Sequence, residues 1–540
     1  MVITAAALAG LLLAACGGEA GPSGRAGGTA VAAVPTAATT VLPPLARNSL
    51  DGELGDLLFP GLERPRWEPG GLVFPEGRPT ALASRRRFGP DSTTLTYRLA
   101  PDRRWSDGRP VTAGDVVFTY RLLSRPGSAL PLSRAAAQLD SVVAHGDTAV
   151  TFHFARRYPG MRFDAGVGIL PRHRLGPIPE EEVAAALNAR VDSALADGRL
   201  TGSGPFVLAA RERGDRILLV PNPEAPVRPR LDTLAIRIVP EEGTRVAELR
   251  AGGVHLVRGL SFRRASELRS REGVRVDAVP RRAYDYLAWN PGGHPAFADV
   301  RVRRALSAAL DRGRMIEALD MAPWAEPARG PYGPLFPELE AALPPVREDT
   351  ARARRLLREA GWTLPAARGG GEDVRTKEGR ELAFTLLTPA GDAHRAAAAQ
   401  LVRARLGELG VGVRVRTMEF NALFGRMRAG DYEAALLGWQ VGLDPDISPF
   451  WAGPDAPLNV VGYRNPEVAA LIDSALSAET APEAAGRWRR AGAAIARDRP
   501  YAFLWYYDLP VAISERLRGA DPGVLGVFRD AHGWWLADRD

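Results

Sequence analysis

The chain has 540 residues, 46% of them hydrophobic and 25% charged, which is enough for two or three domains and ordinary for a soluble globular protein. The formal charge of +7 rests almost wholly on arginine, with Lys377 the one lysine, and those arginines are scattered among 63 acidic residues. The scatter, with no basic arm and no aromatic-basic motif, argues against nucleic-acid binding, and a single cysteine, Cys16, excludes an internal disulfide, a cysteine zinc site and a catalytic thiol in the body.

Residues 2–15 are almost wholly apolar, with the core AAALAGLLLAA. The run is too short for a spanning helix, which takes roughly twenty residues, but it fits the apolar segment of an export signal. Leu13-Ala14-Ala15-Cys16-Gly17 resembles the bacterial lipobox, in which small residues precede a cysteine that receives lipid. No Lys or Arg precedes the apolar core, a departure from that pattern. Gly- and polar-rich residues 16–28 read as a tether holding a soluble body near a membrane.

The body opens with a strand and loop over 29–42. Residues 93–99 alternate as a half-buried strand. In WSDGRPVTAGDVVFTYRLL, Ser106-Asp107-Gly108 makes a turn, Thr112 and Asp115 start a helix, and Val116, Val117, Tyr120 and Leu123 form its apolar face. A strand is predicted over 148–154 and a helix over 179–199. GSGPF is a turn into two strands joined at Gly214-Asp215, followed by the strand LDTLAIRIV, a helix over 240–251 and a short strand in GGVHLVRGL.

YDYLAWN is the next strand, and Asp299 caps a helix VRVRRALSAALDR with Val302, Ala305, Leu306, Ala309 and Leu310 inward. Arg301, Arg303 and Arg304 read as its solvated face. A helix over 350–360 ends at Gly361, and 369–371 is an exposed glycine loop. From 380 to 440 the pattern is βαβαβ, with a helix over 396–409 closed by Gly410 and a short helix capped by Asn421. Helices over 466–478 and 483–496, then AFLWYY and VAIS, finish the chain.

The seven histidines are dispersed and make no close metal-ligand pair. There is no phosphate-binding Walker sequence and no GxSxG elbow. Neither a metal, a cofactor nor a catalytic constellation is indicated. An exported two-lobed α/β body without catalytic signature fits a binding protein whose ligand lies between lobes that close about a hinge.

The order of these motifs resembles the family 5 extracellular solute-binding proteins, the oligopeptide-, dipeptide- and nickel-binding group of ABC importers. WSDGRPVTAGDVVFTYRLL, GSGPFVL, YLAWNPGGHPAFADVRVRRALSAALDR, ARRLLREAGW, LGELGVGVRV and YEAALLGWQVGLDPD carry the likeness, which runs from about Thr29 to the end. The resemblance implies a periplasmic-binding-protein-like α/β fold of two lobes and three subdomains with a ligand cleft. It implies lobe I over 29–285, lobe II over 286–500, a return to lobe I over 501–540, and crossings near 284–290 and 500–507. It implies a monomer that catalyses nothing, delivers a peptide-like or other small polar solute to a permease with its ATPases, and works outside the cytoplasm on a lipid anchor at Cys16. The alternatives are a secreted enzyme on the same body, or a receptor or chaperone-like protein that has left transport.

Peptide-binding relatives place an amine-pairing Asp soon after the Trp of the segment resembling LLGW. Here Trp439 is followed by Gln440, Val441, Gly442 and Leu443 before Asp444. Either Asp444 substitutes, or the ligand is not an ordinary peptide, because an unpaired amine in a closed cleft is costly. The candidate ligand residues are Trp439, Gln440, Asp444, Tyr286 and Asn290. Each also has a plain structural reading: Trp439 as a strand-end aromatic, Asp444 as a turn former, Tyr286 in core or hinge packing, Asn290 tying backbone. The cluster Trp505, Tyr506, Tyr507 reads as hinge packing.

Overall fold

Three β-sheets organise the protein in a computed structural model, which describes residues 27–538 apart from 69–70, 126–129, 159, 179–182, 197–199, 366–372 and 479. The expected export segment, Cys16, the tether up to residue 26, the 369–371 loop and both ends of the 179–199 helix lie outside the described residues.

The first sheet has seven strands in the order Val274–Val279, Leu509–Ser514, Leu256–Val257, Thr29–Val34, Thr233–Ile238, Arg216–Pro221 and Phe206–Glu212. Thr29–Val34 runs parallel to Thr233–Ile238, and Gly214 turns the hairpin after Phe206–Glu212 at φ 78°. The second sheet is four antiparallel strands, Ala83–Phe88, Thr94–Leu99, Ala149–Phe154 and Leu139–His145. One apolar core, from Ala30 through Tyr97 and Phe152 to Trp534, serves both sheets, so they make one lobe.

The third sheet makes the other lobe. Its order is Ala325–Pro327, Tyr501–Tyr507, Ala283–Trp289, Ala434–Gln440, Ala383–Pro389 and Gly412–Met418. The βαβαβ reading holds here: Ala383–Pro389 is parallel to both Gly412–Met418 and Ala434–Gln440, with helices Ala393–Gly407 and Phe420–Ala429 between. Strand Ala283–Trp289 is buried along its whole length. Its even residues Tyr284, Tyr286 and Ala288 enter one core, while Leu287 and Trp289 enter another on the opposite face.

Between the first and third sheets the chain passes at 280–282, from Val279 to Ala283, and at Asp508, from Tyr507 to Leu509. The segments 284–290 and 500–507, anticipated as crossings, are largely central strands of the third sheet, and the crossings are the short links beside them.

Several elements differ from the sequence reading. The helix expected from 300 to 312 is two: Val300–Ala308 capped by Asp299, and Arg312–Ala318 capped by Asp311, because the second aspartate accepts from Arg314 N and starts a new turn. Glu419, not Asn421, caps Phe420–Ala429, since its carboxylate accepts from Ala422 N at 2.9 Å. Helices Ser49–Leu58 and Phe262–Arg269 and the hairpin Arg66–Glu68 with Gly71–Val73 are additional.

Arg303 and Arg304 are not a free solvated face. Their guanidiniums reach across to the carbonyls of Asp498 and Arg497, at 2.7 and 2.9 Å.

Two motif segments prove structural. The buried Asp115 carboxylate accepts from Thr112 N, the Thr112 hydroxyl, Trp105 Nε1 and Arg172 N, at 2.9 to 3.3 Å. In the GSGPF turn, a Cβ on Gly202 or Gly204 would overlap the carbonyls of Leu58 and Leu57, so glycine is needed for the turn to lie on helix Ser49–Leu58.

Candidate functional site

Strand Ala434–Gln440 of the third sheet ends at Trp439 and Gln440, beside the link 280–282 that leads to the other lobe. Trp439 sits opposite Tyr284 in the antiparallel pairing with Ala283–Trp289. Its indole stacks on Tyr286, with centroids 5.8 Å apart and planes at 17°, and Tyr286 stacks in turn on Tyr501 at 4.1 Å and 17°. Trp439 Nε1 donates to Tyr501 Oη at 3.2 Å, and Phe424 and Phe450 pack on the same indole. This pile fixes the ring while leaving it only half-buried, a rigid aromatic wall at a sheet end.

Gln440 is exposed, and the loop after it carries Asp444 to the other lobe. Asp444 Oδ1 accepts from Asp446 N at 3.3 Å, the turn-forming role foreseen for it. Its Oδ2 lies 3.9 Å from where a Cβ on Gly160 would stand, and Tyr158 flanks that glycine. Burial lowers the pKa of the Arg282 guanidinium, and the Asp444 carboxylate opposes that shift. Asp444 therefore stands between the crossing residue Arg282 and the first lobe.

A second contact closes the gap between the lobes. Trp67, on the hairpin of the first lobe, meets Phe336 of the second edge-on at 6.3 Å and 73°. Trp67 and Val524 both pack on the core that holds Tyr286.

The remaining candidates are positioned differently. Tyr286 has no exposed surface and acts beneath Trp439. Asn290 is 5% exposed; its amide donates to Gly430 O at 2.9 Å and Tyr432 O at 2.6 Å, and its carbonyl accepts from Gly292 N. Of these candidates Asp444 approaches the other lobe, at Gly160; Trp439 and Gln440 precede it at the sheet end, and Asn290 ties backbone at the other end of its strand. Sequence reasoning missed Trp67, Tyr158, Gly160 and Arg282. The signal for Trp67 was present, in RWEPGGLV, where Pro-Gly-Gly marks a hairpin.

On the opposite face of the sheet, beside the crossing, Asp285 is wholly buried and accepts from Arg395 Nη2 at 2.8 Å and Trp505 Nε1 at 3.3 Å. Burial would lower the Arg395 pKa, but the Asp285 carboxylate outweighs it and raises it. Phe262 of the first lobe packs edge-on against His394 and Tyr507 of the second, at 5.6 and 5.7 Å. This aromatic and ionic knot spans the crossing at Asp508.

Among the described residues no group of three or more His, Cys, Asp or Glu is arranged to hold a metal, and no helix is long and apolar enough to cross a membrane.

The profile described as bacterial extracellular solute-binding proteins, family 5 Middle, matches residues 80–455. The oligopeptide-binding protein AppA of Bacillus subtilis is 29% identical over 455 residues, which cover 80% of this chain and 79% of that one. The structure of that AppA in complex with a nonapeptide superposes with a TM-score of 0.74 at 25% identity, covering 96% of this chain and 100% of that one. In fold alone, NikA from Brucella suis in complex with Fe(III)-EDTA is also similar, with a TM-score of 0.80 at 18% identity over 94% of this chain and 100% of that one.

Proposed function

The chain belongs to the family 5 bacterial extracellular solute-binding proteins, the substrate-binding components of ABC importers, and from that premise we propose that it captures a peptide-like or other small polar solute between Trp439 and Asp444 of the second lobe and Trp67, Tyr158 and Gly160 of the first. Its work is outside the cytoplasm, it hands its solute to a permease, and it belongs to a transport family rather than an enzyme family.

The observation that carries the reading is the approach of Asp444 to Gly160 beside the fixed Trp439 ring. A half-buried aromatic face holds the apolar part of a solute, and a carboxylate at its edge receives a cationic amine. Trp439 and Gln440 line the sheet end, and Tyr286 supports the ring from below. Asn290 keeps the strand's far end in register and makes no ligand contact in this reading.

The two lobes close as rigid bodies about 280–282 and Asp508, the short links through which the chain passes between the third sheet and the first. The body acts as a monomer, and lipid on Cys16 holds it at the membrane.

Thermal shift with a tripeptide bearing a free amine, against the same tripeptide N-acetylated, tests the assignment of Asp444. Stabilisation by the first alone supports it. Equal stabilisation by both removes Asp444 from the amine-binding role.

A further inference from the structure

Trp67 reaches the second lobe from a hairpin whose two feet are gripped by the same side chains. Glu63 stands before strand Arg66–Glu68, and Phe74 follows its partner Gly71–Val73. Arg162 Nη2 donates to Glu63 Oε2 at 2.8 Å and to the Phe74 carbonyl at 2.9 Å. Its Nε donates to Glu63 Oε1 at 3.3 Å, and its guanidinium lies 4.1 Å from the centre of the Phe74 ring. Arg86 Nη1 repeats the grip, donating to Glu63 Oε2 at 3.0 Å and to Phe74 O at 3.1 Å.

The Glu63 carboxylate is the hub of this arrangement. Its side chain is 5% exposed, and Oε1 also accepts from the Tyr97 hydroxyl at 2.6 Å. Charge-assisted bonds from planar guanidinium forks fix the direction of their partners as well as the charge.

The two arginines come from different elements. Arg86 lies on strand Ala83–Phe88 of the four-stranded sheet. Arg162 lies on the short helix Met161–Asp164, which starts at Gly160, the residue that Asp444 approaches. Tyr158, beside that glycine, is tied to the same helix, because its hydroxyl donates to Asp164 Oδ2 at 2.5 Å. One side chain therefore joins two places at which the first lobe meets the second: Trp67 on Phe336, and Gly160 by Asp444.

We propose that Arg162 is a positioning residue for solute capture, locking the Trp67 hairpin to the Tyr158–Gly160 segment so that the first lobe presents both contacts as one rigid piece. The inference rests on the solute lying between these lobes. Arg162 acts through Trp67 and Gly160 and does not itself touch solute. Contacts held ready in advance need less ordering when the lobes close, so loosening them lowers affinity.

Hydrogen exchange of the soluble body, residues 17–540, read by mass spectrometry, tests the joint. Arg162→Met should raise exchange in two stretches of the second lobe, 333–340 around Phe336 and 442–448 around Asp444. Arg86→Met loosens the hairpin alone and should raise exchange in the first stretch but not in the second. A role confined to propping the first lobe moves neither stretch. Exchange raised only in the first lobe, or one pattern shared by both variants, overturns the proposal. Arg162→Lys keeps a charge opposite Glu63 and gives up the fork, so it should reproduce the Arg162→Met pattern at smaller amplitude. That variant carries the test if Arg162→Met fails to fold. Titration with trialanine then ties the joint to capture. Arg162→Met should bind it about tenfold more weakly than wild type, and adding Trp67→Ala should cost less than it costs alone, because both act through one hairpin. Equal affinity in wild type and Arg162→Met overturns the positioning role and leaves the solute site standing. No binding of trialanine by the wild type counts against the tripeptide reading of that site, and the exchange pattern still decides the joint.

Discussion

The carboxylate of Asp285 and the guanidinium of Arg395 meet at 2.8 Å directly over Gly438, and a Cβ on that glycine would overlap both. The glycine in LLGW is therefore the gap through which an ion pair ties helix Ala393–Gly407 to the central strand beside the crossing. Breaking a buried pair by removing one partner costs about 3–5 kcal/mol. Asp285→Leu and Gly438→Ala should each lower the unfolding free energy, read from urea denaturation, by an amount in that range, and an unchanged midpoint in either would show that the pair does not brace the lobe.

Asp115 bears four hydrogen bonds at the start of helix Ala113–Leu123. Asp115→Ala orphans buried donors from three segments at once, at about 1–3 kcal/mol for the costliest alone. The first lobe is expected to unfold at distinctly lower denaturant, while the affinity of the protein that stays folded is unchanged. Calorimetric binding on the folded fraction checks the second half of that expectation.

Asp444 is exposed, and its substitution should be felt in binding more than in stability. Asp444→Asn should instead weaken binding of a free-amine solute by about ten- to a hundredfold, the worth of one charge-assisted hydrogen bond. Trp439→Ala should weaken it as well, with Trp439→Phe recovering part of the loss. Titration calorimetry distinguishes these outcomes.

Glu340 is buried in the second lobe, and burial pushes its carboxyl from 4.5 up to about 7 against the opposing hydrogen bonds of Tyr506 and the Tyr332 amide. A raised carboxyl pKa means that the folded state holds the proton more tightly than the unfolded state. Stability from this group is full below pH 4.5 and is lost as pH rises to about 7, at a total of about 3 kcal/mol. Glu340→Gln should flatten that segment of the stability profile and melt higher than wild type above pH 7. A parallel pair of profiles would contradict the assignment.

The sequence carried the regular parts of this fold because they are local. The alternation in VGVRVRTME and the glycine at 410 are short-range signals, and the βαβαβ run is built from such signals. Competition between neighbours is harder to read: Glu419 and Asn421 both suit a cap, and only geometry shows which carbonyl group reaches Ala422 N. Long-range pairings leave no local trace. Nothing near Asp285 announces Arg395, 110 residues away, and nothing near Trp67 announces Phe336. Tyr286 illustrates the limit at the site, since alternation assigns it a face but the depth of that face is set by Trp439 and Tyr501 from other strands.

A solute held between the lobes beside Trp439 and Asp444 should stay with the protein through gentle purification. Native mass spectrometry of residues 17–540, purified without denaturation and compared with Trp439→Ala, tests it most directly. The wild type should carry a bound mass that is released on unfolding, yields fragments of a peptide or similar polar solute, and is diminished in the variant. A bare wild-type protein that also shows no change in melting temperature across a broad panel of peptides would contradict it.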